Sequence, residues 1–239
     1  MDFTRFKVLT FDCYGTLIDW ETGILGALRP ILQRYGKDLP DGQLLQAYGE
    51  LEAAAEAGRF RPYRAVLESV VLGLGQRLGF MPSAVEVRSL PESLRDWLPF
   101  PDTVEALRRL KARYKLVILS NVDDDLFAYS AKRLQVRFDQ VITAQQCQSY
   151  KPSLNNFQTA VQRLGVGADA ILHCAESRFH DIGPARQLGI ANVWVNRHAT
   201  RPGPSASGAG AAIPDLEVPD MKTLANLAEG KPAQKALGT

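Results

Sequence analysis

Cysteine is scarce in this chain, with three in 239 residues, at positions 13, 147 and 174. An odd number without close spacing excludes a disulfide framework and a cysteine-type metal site, and it suits a reducing compartment. An excess of charge of one sign is also lacking. The 28 Lys and Arg stand against 26 Asp and Glu, a formal +2. That field is too weak to imply nucleic acid or a membrane surface as a partner. No apolar run approaches the roughly 18 residues that a membrane span needs. The opening MDFTRFKV does not read as a secretory signal, so a cytoplasmic protein is expected. There is no internal repeat.

What is present is 46% hydrophobic and 23% charged, the composition of a globular protein with enough chain for a substantial core. The most informative stretch is FKVLTFDCYGTLIDW, residues 6–20. Lys7 to Phe11 is β-branched and aromatic without a turn residue, which predicts a strand buried on both faces of a parallel sheet. It ends at Asp12, and Gly15 lets the backbone turn sharply. In an open α/β sheet, chemistry gathers at the carboxyl ends of strands, so Asp12 stands where a nucleophile would stand.

Up to Trp97 the periodicity predicts helices only. One runs from Gly23 to Tyr35, a second from Pro40–Asp41 to near Gly58, a third opens at Arg59 to Arg64 and carries Val66 to Leu74, and a fourth spans Pro82 to Trp97. This reads as a helical cap, residues 18–98, inserted into a core made of residues 1–17 and 99–239. Leu98 to Asp102 is the return linker, with Asp102 as a candidate cap of the helix carrying Val104, Leu107 and Leu110. Strands are then expected at Leu116–Leu119, Val141–Ala144, Ile171–Ala175 and Val193–Asn196. Helices are expected at Asp125–Leu134, Leu154–Leu164 and Ile182–Leu188. Alternation of this kind implies an α/β fold with a Rossmann-like parallel sheet. Residues 201–212, RPGPSASGAGAA, are expected to form a mobile surface loop. Leu216–Val218 is expected as an edge strand, Met221–Leu227 as a last helix, and Lys231–Thr239 as a frayed end.

Each strand thus delivers polar groups to one edge: Asp12 and Tyr14, then Ser120 and Asn121, then Lys151, then Glu176 and Asp181. Singly they have ordinary readings, as turn or helix caps, a solvated lysine, or a first-turn acid. Their convergence from four strand ends points to a pocket.

The segments FDCYGTLID, Ser120–Asn121, Tyr150–Lys151–Pro152 and AESRFHDIGPAR together resemble the haloacid dehalogenase (HAD) superfamily, over nearly the whole chain up to Leu227. Phosphatases of that superfamily carry Asp-x-Asp in the first segment, the second acid protonating a leaving alkoxide. Here Tyr14 stands in its place, as in the L-2-haloacid dehalogenase branch. A halide leaves without a proton, so the exchange agrees with the chemistry. The resemblance implies that Asp12 displaces halide from a short 2-haloalkanoic acid, with inversion, and that water then hydrolyses the aspartyl ester. It implies Asp181 as the group that activates water and Lys151 as the cation that keeps Asp12 ionised. Thr16, Ser120 and Asn121 would supply hydrogen bonds, Tyr14 would line the pocket, and Ser177, His180 and Tyr63 would shape it. A homodimer without metal or cofactor is the corresponding expectation.

Several positions depart from the family pattern. Glu176–Ser177–Arg178 replaces Ser-Ser-Asn, and Glu176 with Asp181 resembles the Mg²⁺-holding carboxylate pair of the phosphatases. Phe157 replaces a tyrosine and His180 a tryptophan. The cap arginine that receives halide or carboxylate has no counterpart at Tyr48–Gly49. Arg59, Arg61 and Arg64 are the alternatives, Arg64 being preferred. The competing readings are a Mg²⁺-dependent phosphatase and a binding protein without catalysis.

Overall fold

The structure, a computed structural model, describes residues 1–199, 206 and 210–231. Its centre is β1 (Val8–Phe11), whose four residues are all buried. β1 pairs in parallel with β2 (Lys115–Ser120) on one side and with β4 (Ile171–Ala175) on the other. β3 (Gln140–Thr143), β5 (Ala191–Val195) and β6 (Leu216–Val218) complete a six-stranded parallel sheet in the order β3-β2-β1-β4-β5-β6. β1 continues into β2 on one flank, whereas β4 lies on the other. The crevice at the carboxyl ends of β1 and β4 is therefore the switch point at which such sheets bind ligands.

Four helices separate β1 from the rest of the sheet: α1 (Trp20–Arg34), α2 (Asp41–Glu56), α3 (Tyr63–Leu78) and α4 (Ala84–Ser93). α1 begins at Trp20 because Asp19 caps it, accepting the Thr22 N–H, whereas the apolar spacing alone suggested Gly23. α4 starts at a capping box between Ser83 and Glu86 and stops at Ser93, followed by a single turn over Leu94–Asp96. α3 packs between α2 and α4, burying Val66, Leu67, Val70 and Leu74 on one stripe.

The core helices are α5 (Thr103–Lys111), α6 (Asp124–Leu134), α7 (Ala144–Cys147), α8 (Leu154–Leu164), α9 (Gly183–Gln187) and α10 (Met221–Ala228). Ala144, expected to close a strand, instead opens the short α7, which Thr143 caps. Asp102 does not cap α5. Its carboxylate accepts the N–H groups of Met221 and Lys222 at 2.7 and 3.2 Å and pairs with Arg197 at 2.8 Å. A helix start packed against α5 from far along the chain has claimed the acceptor. Most of the loop expected over 201–212 and of the terminus expected over 231–239 lies outside the described residues. Among the described residues, no helix is long and apolar enough to cross a membrane.

Candidate active site

Asp12 follows β1 directly, and Gly15 (φ +87°) turns the chain so that Thr16 comes back beneath it. An L side chain at residue 15 would adopt that φ only with strain. Thr16 Oγ1 donates to Asp12 Oδ2 at 2.8 Å and accepts the Glu176 N–H at 2.9 Å, tying the ends of β1 and β4 together. The Lys151 ammonium, 2% exposed, donates to Asp12 Oδ1 at 2.9 Å, to Asp181 Oδ1 at 2.6 Å and to the Leu119 carbonyl at 3.0 Å. All three of its protons are committed. Asn121 holds this lysine in place through its peptide, accepting the Lys151 N–H at 2.8 Å and donating to its carbonyl at 3.0 Å.

Asp181 belongs to a wide single turn over Arg178–Ile182 that Ser177 caps. Its Oδ1 also meets His173 Nε2 at 2.9 Å, and His173 Nδ1 meets Thr10 Oγ1 at 2.9 Å. Burial opposes the Asp181 charge, but Lys151 and then His173 overcome it and bring the carboxyl down to about 2. Burial raises Asp12, and the Asp181 charge adds to that against the pull of Lys151. Burial likewise works against Lys151, yet Asp12 and Asp181 hold it above its ordinary range. The His180 ring is brought down to about 4 by burial, which leaves it neutral at pH 7, with Nδ1 3.0 Å from Ser177 Oγ.

Asp12, Lys151, Asp181 and His180 line a cavity of about 50 Å³ beside the inserted helices, and Glu56, Lys151 and His180 also line a wider space of about 430 Å³. Among the expected residues, Asp12, Tyr14, Ser120, Asn121, Lys151, Ser177, His180 and Asp181 all line the smaller cavity. Tyr14 stands edge-on to Trp97 and shares its hydroxyl with Ser130 at 2.9 Å. Ser120 Oγ is buried without a hydrogen-bond partner.

Arg64 is the correction. Asp123 pins the start of α3 by accepting the N–H groups of Tyr63 and Arg64, each at 2.9 Å. Tyr63 then faces the cavity. Arg64, about 100° further round the helix, turns outward to Asp125 at 2.7 Å. Arg61 is spent on Ala65 and Ser69, and Arg59 is exposed. Position 49 has no room for a side chain, because a Cβ there would lie 2.6 Å from the Ala206 carbonyl oxygen. In place of an arginine the cap presents Trp20, Glu52, Glu56 and Tyr63.

The sequence reading missed Trp20, Glu52, Glu56 and His173 as parts of the site, whereas Tyr63 was expected to shape the pocket and does line it. The signals were there: Glu52 and Glu56 are four apart in the otherwise small and apolar LEAAAEA, and His173 interrupts an apolar strand. Glu176 does not line the cavity. Its Oε1 lies 3.8 Å from His198 Nε2, and among the described residues no group of three His, Cys, Asp or Glu is arranged to hold a metal ion. The Lys151 ammonium bridges Oδ1 of Asp12 and Oδ1 of Asp181, and Glu176 does not join them to form the carboxylate pair expected of a Mg²⁺ site.

A parallel sheet offering an aspartate–lysine–aspartate cluster at its switch point, roofed by helices inserted after the first strand, defines an α/β hydrolase of the HAD fold. The chain belongs to the haloacid dehalogenase-like hydrolases, whose family model matches residues 6–189. It is 27% identical over 229 residues to an (S)-2-haloacid dehalogenase of Pseudomonas sp. strain YL, covering 93% of this chain and 94% of that one. It is 25% identical over 202 residues to (S)-2-haloacid dehalogenase 4A of Burkholderia cepacia, covering 82% and 85%. The crystal structure of the L-2-haloacid dehalogenase of Xanthobacter autotrophicus superposes with a TM-score of 0.77 at 22% identity, over 95% of this chain and 100% of that one.

Proposed function

We propose that this protein hydrolyses the carbon–halogen bond of short 2-halo carbonyl compounds, the 2-haloacids of its relatives being the reference class. The observation that carries the reading is the pairing of an ionisable Asp12, aimed by Lys151 and Thr16, with a tyrosine two positions on. The Tyr14 hydroxyl is committed to Ser130, and burial pushes it well above its ordinary range. It is not a proton donor to a leaving alkoxide, a service worth about 10²–10⁴-fold that halide does not need.

In the first step an Asp12 oxygen attacks the carbon bearing the halogen from the side opposite to it. The C–O bond forms as the carbon–halogen bond breaks, and halide departs with the electron pair, leaving an aspartyl ester with inverted configuration. In the second step water attacks the Asp12 carbonyl carbon, regenerating Asp12 and releasing the 2-hydroxy product and a proton. Asp181 takes up and orients that water, since Oδ2 has no hydrogen-bond partner among the described residues. Lys151 offsets the negative charge that gathers between the two carboxylates.

No metal enters this reading, in which the Lys151 ammonium supplies the positive charge between the two carboxylates. Halide release is expected to survive EDTA, whereas a Mg²⁺-dependent phosphatase would release no halide and would lose its phosphate-ester hydrolysis to EDTA. The mechanism itself is tested by a single turnover in heavy-oxygen water with enzyme in excess. Label is expected in the Asp12 side chain, and label found only in the hydroxy product rules out the ester.

A further inference from the structure

The cap side of the cavity carries acceptors where an anionic substrate needs a cation. Glu52 Oε1 accepts both the Tyr48 and the Tyr63 hydroxyls, at 2.7 and 2.6 Å, and those hydroxyls lie 3.1 Å apart. The two rings are buried, so the carboxyl group is fixed rather than swinging. Its Oε2 has no hydrogen-bond partner among the described residues, and neither has the carboxyl of Glu56, one turn further along α2. Both carboxyl groups line the small cavity together with Asp12. From the core side the buried Ser120 hydroxyl also reaches the cavity without a partner.

No basic side chain answers these acids. Lys151, the one cation lining the cavity among the described residues, has no proton left to offer. A substrate carboxylate would find neutral donors such as Ser120 but no cation with a proton to spare, and would face Glu52 and Asp12. A carboxamide is complementary at both ends: its carbonyl oxygen accepts from Ser120, and its NH₂ donates to the unpartnered oxygens of Glu52 and Glu56. A buried polar group left unpaired is costly, so a ligand that pairs all of them is favoured over one that pairs a single group.

Resting on the dehalogenation reading for the bond that is broken, the geometry points to small 2-halo carboxamides, rather than the corresponding 2-halo carboxylates, as the class this pocket selects, with Glu52 and Glu56 as the specificity-determining residues. Burial raises both carboxyls, and the Glu52 charge pushes Glu56 furthest, well above its ordinary range. Of the two, Glu52 is the one whose charge is supported, by the Tyr63 and Tyr48 hydroxyls that oppose its rise, and so the one placed to repel an anion. Glu56 pairs with the amide in either protonation state, because a neutral carboxyl group keeps its acceptor oxygen. The balanced reaction for the simplest case takes 2-chloroacetamide and water to 2-hydroxyacetamide, chloride and a proton.

The test compares kcat/KM for 2-chloroacetamide and chloroacetate by chloride release, in the wild type and in Glu52→Gln and Glu56→Gln. The amide is expected to be preferred by about 10-fold or more, one pairing's worth of affinity. In Glu52→Gln that preference shrinks by a similar factor as chloroacetate improves. A wild type that turns over chloroacetate as well as the amide overturns the inference, and so does a Glu52→Gln preference equal to that of the wild type. Equilibrium binding of the unreactive propionamide and propionate to the wild type is read in parallel. Tighter propionamide binding supports the selectivity, and equal or tighter propionate binding overturns it. Chloride released from neither substrate, with propionamide still bound more tightly, sinks the dehalogenation reading and leaves the amide selectivity standing.

Discussion

The side-chain amide of Asn121 clasps the peptide of Lys151 from both sides, Oδ1 on its N–H at 2.8 Å and Nδ2 on its carbonyl at 3.0 Å. Asn121 thus acts through Lys151, with Oδ1 and one of its two amide protons used on that peptide. Asn121→Ala removes both bonds and lets the ammonium drift from Asp12. A lost buried hydrogen bond costs about 1–3 kcal/mol, so kcat is expected to fall by about 10-fold or more with KM little changed. Asn121→Asp keeps the acceptor and loses the donor, so it should fall in between. Steady-state halide release measures both, and a rise in KM at constant kcat would instead make Asn121 a substrate-binding group.

The two aspartates share one ammonium and therefore titrate apart. As pH rises from strongly acid, Asp181 ionises first, at about 2, and its charge then opposes ionisation of Asp12. Asp12 is raised by burial and by that charge, so on acidification it is the first of the two to take up a proton and cease to be a nucleophile. The acid limb of kcat/KM is accordingly expected above the ordinary carboxylate range, with activity lost as pH falls through it. Burial holds His180 neutral down to about 4, so no second ionisation of that ring should appear between pH 5 and 8. Initial rates from pH 3 to 9 test both statements.

Tyr14 separates a pocket wall from a proton donor. Its hydroxyl meets the buried Ser130 at 2.9 Å. Tyr14→Phe is expected to leave kcat within about 3-fold, because departing halide needs no proton. Stability should fall by about 1–3 kcal/mol through the orphaned Ser130 hydroxyl. A loss of kcat beyond 10-fold in a folded variant would show proton donation and speak against halide as the leaving group. Denaturant unfolding and halide release together decide the matter.

Asp102 shows how far a short reading along the chain can miss. As the last residue before α5 it had the look of that helix's cap, yet its carboxylate serves the start of α10, more than a hundred residues later, and Arg197. Asp102→Ala removes the acceptor of the Met221 and Lys222 N–H groups, leaving α10 its own cap at Asp220, and leaves Arg197 with one partner fewer, so the loss should reach about 2–4 kcal/mol. At this chain length each kcal/mol corresponds to about 2–4 °C, giving a Tm drop of roughly 4–16 °C. Calorimetry reads it, and a drop below 2 °C would show that the Asp220 cap alone holds the start of α10.

What could be read along the chain was whatever local pattern dictates. β1 announced itself by an unbroken apolar run and Asp12 by interrupting it, and the βα alternation then fixed where Ser120, Lys151 and Asp181 would gather. What could not be read depends on helix phase and on distant partners. Tyr63 and Arg64 are neighbours in sequence, and only the clamp from Asp123 decides which of them turns inward. Glu52 gains meaning from Tyr63, eleven residues away on another helix. His173 gains it from Thr10, its register partner across the β1–β4 pair.

His173 gives the sharpest division between the two chemical steps. It reaches Asp181 Oδ1 at 2.9 Å and is braced behind by Thr10, and it does not line the cavity, so it positions Asp181 rather than touching substrate. Replacing it by Leu removes one of the two donors on that oxygen and leaves Lys151 alone to hold the carboxylate. Halide displacement depends on Asp12 and Lys151, whose contact at 2.9 Å is untouched. In the proposed second step, ester hydrolysis depends on the water that Asp181 orients. The first step should therefore stay fast while the second slows by about 10-fold or more, within the range of a displaced acid–base group. The visible consequence is a burst: one halide per active site released rapidly, then slow turnover, with the ester on Asp12 detectable by mass as an adduct on the peptide that contains it. Partial rescue is expected in His173→Gln, which can still donate to Asp181. A fall in steady-state rate with no burst and no adduct would put His173 behind the displacement step, and unchanged turnover would remove it from the machinery altogether.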